Sequence, residues 1–189
     1  EIVTCSDSIT RDYDRLMEFN NDEKLYGSKE HKRAIYRTLM AVNILEGVRF
    51  YVSFACSWAF AELKKMEGNA KIIKLIARDE NVHLASTQQM LKYLPQDDPD
   101  YGRIAQEEAH QNSMMFQEAI EQEKAWADYL FRDGSMIGLN SDLLKSYIEW
   151  IGVKRARAVG VKVPYEVGAT NPLPWTEKWI RGSDVQVAP

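Results

Sequence analysis

The chain has few of the features that mark disulfide-linked, nucleic-acid-binding or membrane-spanning proteins. It contains only two cysteines, Cys5 and Cys56, among 189 residues. Its net charge of -4 is mild and it has no basic run, which argues against nucleic-acid binding. Its most apolar run, residues 50–60, has charged residues too close on both sides for a membrane span of about 20 residues. No signal-peptide pattern is visible in the sequence.

The scarcity of cysteine also bears on the cellular compartment. Cys56 lies in an apolar helical stretch, so we expect a small core residue rather than half of a disulfide. Such cysteine use fits a reducing compartment, and we expect a cytoplasmic location.

Hydrophobic residues make up 45% of the chain, which fits a soluble globular domain with a sizeable core and excludes a disordered chain.

Proline and glycine are sparse along most of the chain, and their positions divide it into predicted helices. Residues 29–66 contain no proline and a single glycine, Gly47, which predicts one long helix. Gly47 indicates either close helix packing or a local distortion. Further helices are predicted over residues 6–20, 70–94, 100–131 and 141–159. The sequence thus predicts an all-α protein, with a helical portion over residues 1–163 and an extended, aromatic arm over residues 164–189 packed on it.

Three residues on neighbouring predicted helices form the pattern most indicative of chemistry. Glu80 and His83 form a Glu-x-x-His pair, and Glu46 shares an i, i+4, i+8 stripe with Phe50 and Phe54. A buried carboxylate is costly unless it is paired or bound to metal, so a glutamate on an aromatic stripe indicates metal coordination. Dimetal-carboxylate bundles use a Glu from each of two helices and a Glu-x-x-His from each of two others. The chain therefore presents half of such a ligand set, of a type that suits iron or manganese.

Other interpretations of these residues stay open at this point. Glu-x-x-His pairs also occur by chance on solvated helices, and a second one, Glu107 to His110, lies in a segment that is polar on all sides. We interpret that second pair as a solvated face. Asp79 could hydrogen-bond His83 or a histidine on another element, or it could be an ordinary surface residue. The sequence has no dinucleotide fingerprint, P-loop, serine elbow or CxxC motif.

Several long stretches of the sequence match one known family. They are VNILEGVRFYVSFACSWAFAE (42–62), EGNAKIIKLIARDENVHL (67–84), QEKAWADYLFRDGSMIGLN (122–140), NPLPW (171–175) and VQVAP (185–189). Through them the chain, from about residue 10 onward, resembles the small, radical-generating β subunit of class I ribonucleotide reductase. The resemblance is to the C-terminal half of that subunit.

The resemblance implies a ferritin-like helical bundle that holds two iron ions, with manganese possible. It implies that this centre oxidises a nearby tyrosine to a radical, which a large catalytic subunit uses to reduce ribonucleoside diphosphates. Three residues carry over as metal ligands: Glu46, Glu80 and His83. Three more carry over as an apolar pocket around the radical: Phe50, Phe54 and Ile76. Two carry over to the proton and electron route, a carboxylate behind a ligand histidine and its hydrogen-bond partner: Asp79 and Ser53.

The chain lacks several features of the family. The family's other three ligands and its radical tyrosine precede the matched region, and a flexible tail that docks on the large subunit follows it. We therefore expect a partial bundle, completed by missing N-terminal helices or by an N-terminal half on a separate chain. We also expect a second small subunit and the large subunit as partners, and neither nucleic acid nor membrane.

The sequence leaves open whether the chain is naturally split, cleaved or a fragment. An alternative is a metal-free structural or regulatory paralogue that binds ribonucleotide reductase subunits. A third reading, a different ferritin-like oxidase, requires a second complete ligand set within the chain.

Overall fold

The computed structural model describes residues 2–180, with side chains from residue 10 onward. Within that range the chain is helical and contains no strand, apart from an isolated bridge between Met136 and Leu139. The prediction of an all-α protein is therefore confirmed for the described residues. The helices are α1 (Ile2–Asn21), α2 (Lys29–Gly47), α3 (Tyr51–Glu62), α4 (Glu67–Asp97), α5 (Pro99–Glu107), α6 (Ala109–Leu130), α7 (Ser141–Ala158), a 3-10 turn (Pro174–Thr176) and α8 (Glu177–Ile180).

Two apolar clusters form the core. The larger one joins α2, α3, α6 and α7, and it buries Met40, Tyr51, Phe116 and Tyr147 completely. The smaller one lies between α3 and α4, and its members are Phe54, Trp58, Ala61, Ala70 and Ala77. Each large apolar side chain buried in this way stabilises the fold by about 1.5–3 kcal/mol.

The prediction of a single long helix over residues 29–66 is wrong, because the helix is interrupted in the middle. α2 ends at Gly47 and α3 begins at Tyr51. Val48, between them, has φ -129°, far from the helical value of about -63°. A Cβ on Gly47 would lie 3.0 Å from Leu84 Cδ1 and 3.3 Å from Arg155 Cγ. Both explanations offered for Gly47 thus hold: neighbours pack closely against it, and the helix is distorted directly after it.

Two further helix boundaries differ from the prediction. α4 does not stop at Pro95 but continues to Asp97. Pro95 has no backbone N–H to donate to the carbonyl four residues earlier, and the helix continues for only two residues beyond it. The helix predicted over residues 100–131 is broken at Glu108, which is buried. Its carboxylate binds Arg37 at 2.7 and 3.0 Å and Arg33 at 3.2 Å, contacts with a helix distant in sequence.

Beyond Gly160 the chain has no regular secondary structure until it reaches the 3-10 turn and α8. Leu173 and Thr176 are buried, and Trp175 and Trp179 pack against the smaller cluster. Residues 181–189, including the VQVAP stretch of the predicted arm, lie outside the described residues. The division of the chain at residue 163 stays a prediction.

One helical stretch, Lys29–Glu62, is long and apolar enough to cross a membrane by length and composition alone. Of its most apolar window, 56% is buried inside the protein. The core helix of a soluble protein passes the same test, so this stretch is only weak evidence for a span.

Close packing of α6 against α7 makes Gly152 a sensitive position. A Cβ there would lie 2.5 Å from Ile120 Cδ1 and 2.6 Å from its Cγ1, and Ile120 is fully buried. We expect Gly152→Ala to destabilise the protein by about 1–3 kcal/mol, as overpacking does. The control is Gly68→Ala in the first turn of α4, where no atom lies within 4 Å. It should be neutral or stabilising by about 0.4–1 kcal/mol. Chemical denaturation measures both, and equal effects would contradict the packing described.

Candidate metal centre

The three predicted ligands lie together between α2 and α4. One potential ligand atom from each of Glu46, Glu80 and His83 lies within 4.8 Å of the others. His83 Nδ1 is 3.1 Å from Glu80 Oε2 and 3.7 Å from Glu46 Oε2. The helical spacing of Glu80 and His83 puts them on one face of α4, and Glu46 reaches that face from the last turn of α2.

Burial makes the carboxylate of Glu46 unusual. The side chain is only 14% exposed, and its Oε2 atom is buried without a hydrogen-bond partner. Burial, and then the neighbouring Glu80 carboxylate, raise the pKa of Glu46 to about 7. His83 is 58% exposed, and the hydrogen bond with Glu80 raises its pKa. Glu80 and His83 therefore lie beside a buried Glu46 oxygen that has no hydrogen-bond partner.

This donor set fits a metal ion. A cation placed among the three side chains would bind the Glu46 oxygen that has no hydrogen-bond partner. It would also offset the repulsion between Glu46 and Glu80. Oxygen and imidazole nitrogen ligands suit iron or manganese. Among the described residues this is the one such group of three, so the residues fit part of a dimetal ligand set rather than a complete one.

A buried polar contact joins α2 to α4 one helical turn away from the ligands. Asn43, three residues before Glu46, donates to Thr87 Oγ1 at 2.9 Å, and Thr87 donates to the Leu84 carbonyl at 3.0 Å. Asn43 is fully buried. Sequence reasoning missed Asn43, although a polar residue one turn before Glu46 on an apolar helix was a visible signal. Such buried bonds set the register of the two helices and hence the positions of the ligands.

The start of α3 is held by a second polar network. Tyr51 is fully buried, and its hydroxyl accepts from Arg155 Nη2 at 3.0 Å and donates to Asn81 Oδ1 at 3.4 Å. The aliphatic stem of Arg155 also lies against Gly47. Arg155 therefore contacts both sides of the interruption after Glu46, and no local pattern in the sequence indicated this role.

The three residues predicted to form an apolar pocket do not share one environment. Phe54 is buried, and its ring stacks on Phe50 with centroids 5.8 Å apart. Ile76 is 39% exposed, and the neighbouring Ala77 takes the buried position in the smaller cluster. The structure thus brings Phe50 and Phe54 together and leaves Ile76 at the surface of α4. The role of all three around a radical stays a prediction.

Ser53 and Asp79 meet different neighbours among the described residues, and the hydrogen bond predicted between them stays a prediction. Asp79 is exposed and pairs with Arg78 at 3.3 Å. Ser53 faces α6 and accepts from Trp126 Nε1 at 3.1 Å. The two side chains point to different surroundings because α4 turns Asp79 to solvent. A role for Asp79 on a proton and electron route stays a prediction.

The second Glu-x-x-His pair does not gather ligands. Glu107 is the last residue of α5, and its carboxylate pairs with Lys29 at 2.6 Å and also with Arg33. His110 lies in the next helix and is exposed. These contacts support the interpretation of a solvated face.

A family model and individual relatives place the chain in the same family. The family model described as "Ribonucleotide reductase, small chain" matches residues 6–172. The ribonucleoside-diphosphate reductase 1 subunit beta of Salmonella typhimurium is 48% identical over 205 residues, which cover 100% of this chain and 54% of that protein. The subunit beta of Enterobacteria phage T4 is 37% identical over 174 residues, or 90% of this chain and 45% of that protein. The chain spans about half the length of the curated relatives it matches.

A solved structure agrees with the sequence relatives. The ribonucleotide reductase R2 subunit from Clostridium botulinum superposes with a TM-score of 0.71 at 27% identity, over 86% of this chain and 55% of that one. The predicted ferritin-like helical bundle is thereby confirmed.

The raised pKa of Glu46 predicts how the metal-free protein responds to pH. Because the folded state holds this proton more tightly than the unfolded state, the protonated carboxyl stabilises the fold below about pH 4.5, and this is lost as pH rises through about 7. The raised pKa of His83 acts in the same direction, since its contribution is also lost as pH rises. We expect Glu46→Gln, with a chelator present, to melt higher than wild type at about pH 8 and equally at about pH 4.

The control for this titration is Asp133→Asn, since the Asp133 side chain is 87% exposed. It should change the melting temperature little at either pH. If the melting temperature of Glu46→Gln depends on pH as that of the wild type does, burial does not raise the pKa of Glu46.

Proposed function

The chain belongs to the ribonucleotide reductase small-chain family, and from that premise we propose that it is the C-terminal part of a ribonucleoside-diphosphate reductase small subunit. In this proposal Glu46, Glu80 and His83 supply half of a dimetal-carboxylate centre. That centre generates or stores a tyrosyl radical for deoxyribonucleotide synthesis.

The observation that carries the proposal is the buried Glu46 oxygen, which has no hydrogen-bond partner and lies beside a second carboxylate and an imidazole. A buried carboxylate without a hydrogen bond destabilises a fold unless a proton, a cation or a charged partner compensates it. The alternative of a metal-free structural or regulatory paralogue gives no reason to keep all three side chains in this arrangement.

We propose two iron ions as the cofactor, with manganese as the other metal that these ligands suit. When bound, such a centre supplies oxygen activation and the one-electron oxidation of a tyrosine. The residues of this chain hold the ions with Glu46, Glu80 and His83, and Phe50 and Phe54 keep water from one side of the site. Asp79, at the surface of α4, is placed in the proposal on the proton and electron route, where it contacts a histidine of the missing half.

The described residues gather three of the six ligands, and we propose that the N-terminal half of the small subunit supplies the other three and the radical tyrosine. The surface of α4 supports this, because it exposes both the His83 ligand and apolar side chains. The most exposed of these are Ile72, Val82 and Met90. Exposed apolar patches of this kind mark protein interaction sites. The completed subunit would pair with a second copy and serve the large catalytic subunit in the cytoplasm.

The metal proposal predicts that metal binding needs His83 and does not need His110. His83→Ala should reduce the metal content of the assembled protein, with the loss of at least one of about two ions per site. Glu80→Ala should do the same. The matched control is His110→Ala, in the second Glu-x-x-His pair, which should keep the full metal content. Metal analysis by plasma mass spectrometry on the protein purified with its partners measures all three, and full retention in His83→Ala would contradict the assignment.

A further inference from the structure

A row of aromatic rings runs from the ligand region to the protein surface. It begins at Phe50, four residues after Glu46, and continues to Phe54 at 5.8 Å and to Trp58 at 5.6 Å. Trp58 then stacks on Trp179 of α8, with centroids 6.2 Å apart and ring planes 8° from parallel. Two easily oxidised indoles therefore lie in direct contact at the outer end of the row.

The two indoles differ in what their N–H groups meet. Trp58 is fully buried, and its Nε1 has no hydrogen-bond partner. Trp179 is only partly buried, and its Nε1 donates to Glu62 Oε1 at 2.9 Å. An oxidised Trp58 therefore has no acceptor for its proton and stays a radical cation. An oxidised Trp179 can pass its proton to a carboxylate that already holds the hydrogen bond.

Lys178 lies close to both the donor and the acceptor of that proton. Burial alone would raise the pKa of Glu62, but hydrogen bonds from Lys178 and Trp179 lower it, so the group is a carboxylate near neutral pH. Lys178 Nζ lies 2.6 and 2.8 Å from the two Glu62 oxygens and 5.7 Å from the centre of the Trp179 ring. This ammonium disfavours a positive charge on the ring, which favours the neutral radical, although it also makes Glu62 a weaker base.

We propose that Trp58 and Trp179, with Glu62 as proton acceptor, form a one-electron relay between the interior beside the ligand region and the surface of the C-terminal arm. This function goes beyond the proposed function, and its test needs no metal. A one-electron oxidant in the interior removes an electron from Trp58. Trp179 then gives an electron to the Trp58 radical cation, and the Trp179 Nε1 proton moves to Glu62. The products are neutral Trp58, a neutral Trp179 radical and protonated Glu62. An external thiol restores Trp179 by giving one electron and one proton, and Glu62 releases its proton to solvent.

A purely structural role for the same contact is the competing explanation. Trp179 would then only anchor α8 to α3 by burying apolar area. Both roles predict stacked rings, but only the relay requires that oxidation leave Trp58 and that the proton reach Glu62.

The test is laser flash-quench on the metal-free protein in the assembly purified from its source. A ruthenium polypyridyl photo-oxidant is attached at Phe60→Cys, two residues from Trp58, in a background carrying Cys5→Ala and Cys56→Ala. Transient absorption then separates the tryptophan radical cation from the neutral radical. We expect a neutral radical in the parent protein, a persistent cation in Trp179→Phe, and loss of the neutral signal in Trp58→Phe.

Glu62→Gln keeps the stacked rings and a hydrogen-bond acceptor but removes the base, so it tests the proton step in a protein that should fold normally. We expect it to give a cation in place of the neutral radical. The control is Trp150→Phe, outside the row, which should behave like the parent protein. A neutral radical of unchanged yield in Trp179→Phe or in Glu62→Gln would overturn the relay. Neither result changes the metal analysis of His83→Ala, so the two proposals fail separately.

Discussion

The burial of the Glu46 carboxylate beside Glu80 is the constraint on which the rest of the site depends. A buried carboxylate oxygen without a hydrogen-bond partner, next to a second carboxylate, opposes folding unless a proton or a cation compensates it. The fold tolerates this arrangement because the surrounding helices are tightly fixed. The same arrangement would favour a bound cation, since a metal ion would remove the repulsion between the two carboxylates.

The helices fix Glu46 by contacts that are mostly distant in sequence. The absence of a side chain on Gly47 admits both Leu84 and the stem of Arg155, and Arg155 also binds Tyr51 beyond the interruption. The buried bond from Asn43 to Thr87 joins the same two helices one turn away. Small-residue packing and buried polar pairs thus hold the ligands of α2 and α4 in reach of one another, with the open side facing away from the core.

The sequence predicted the helical class and the three candidate ligands because both depend on local periodicity. Glu80 and His83 share a helix face by spacing alone, and Glu46 was conspicuous on an apolar stripe. The interruptions after Gly47 and at Glu108 were missed because they depend on Arg155 and on Arg33 and Arg37, which lie far away along the chain. Asp79 and Ser53 were paired by resemblance, but the partners they meet, Arg78 and Trp126, are decided by tertiary packing.

Native mass spectrometry with metal quantification, on the protein purified from its own source, tests the central claim most directly. The account predicts about two metal ions for each assembled small subunit that contains Glu46, Glu80 and His83. A chain that is found alone and free of metal, in a stable monodisperse form, would contradict the assignment of Glu46, Glu80 and His83 as half of a dimetal centre.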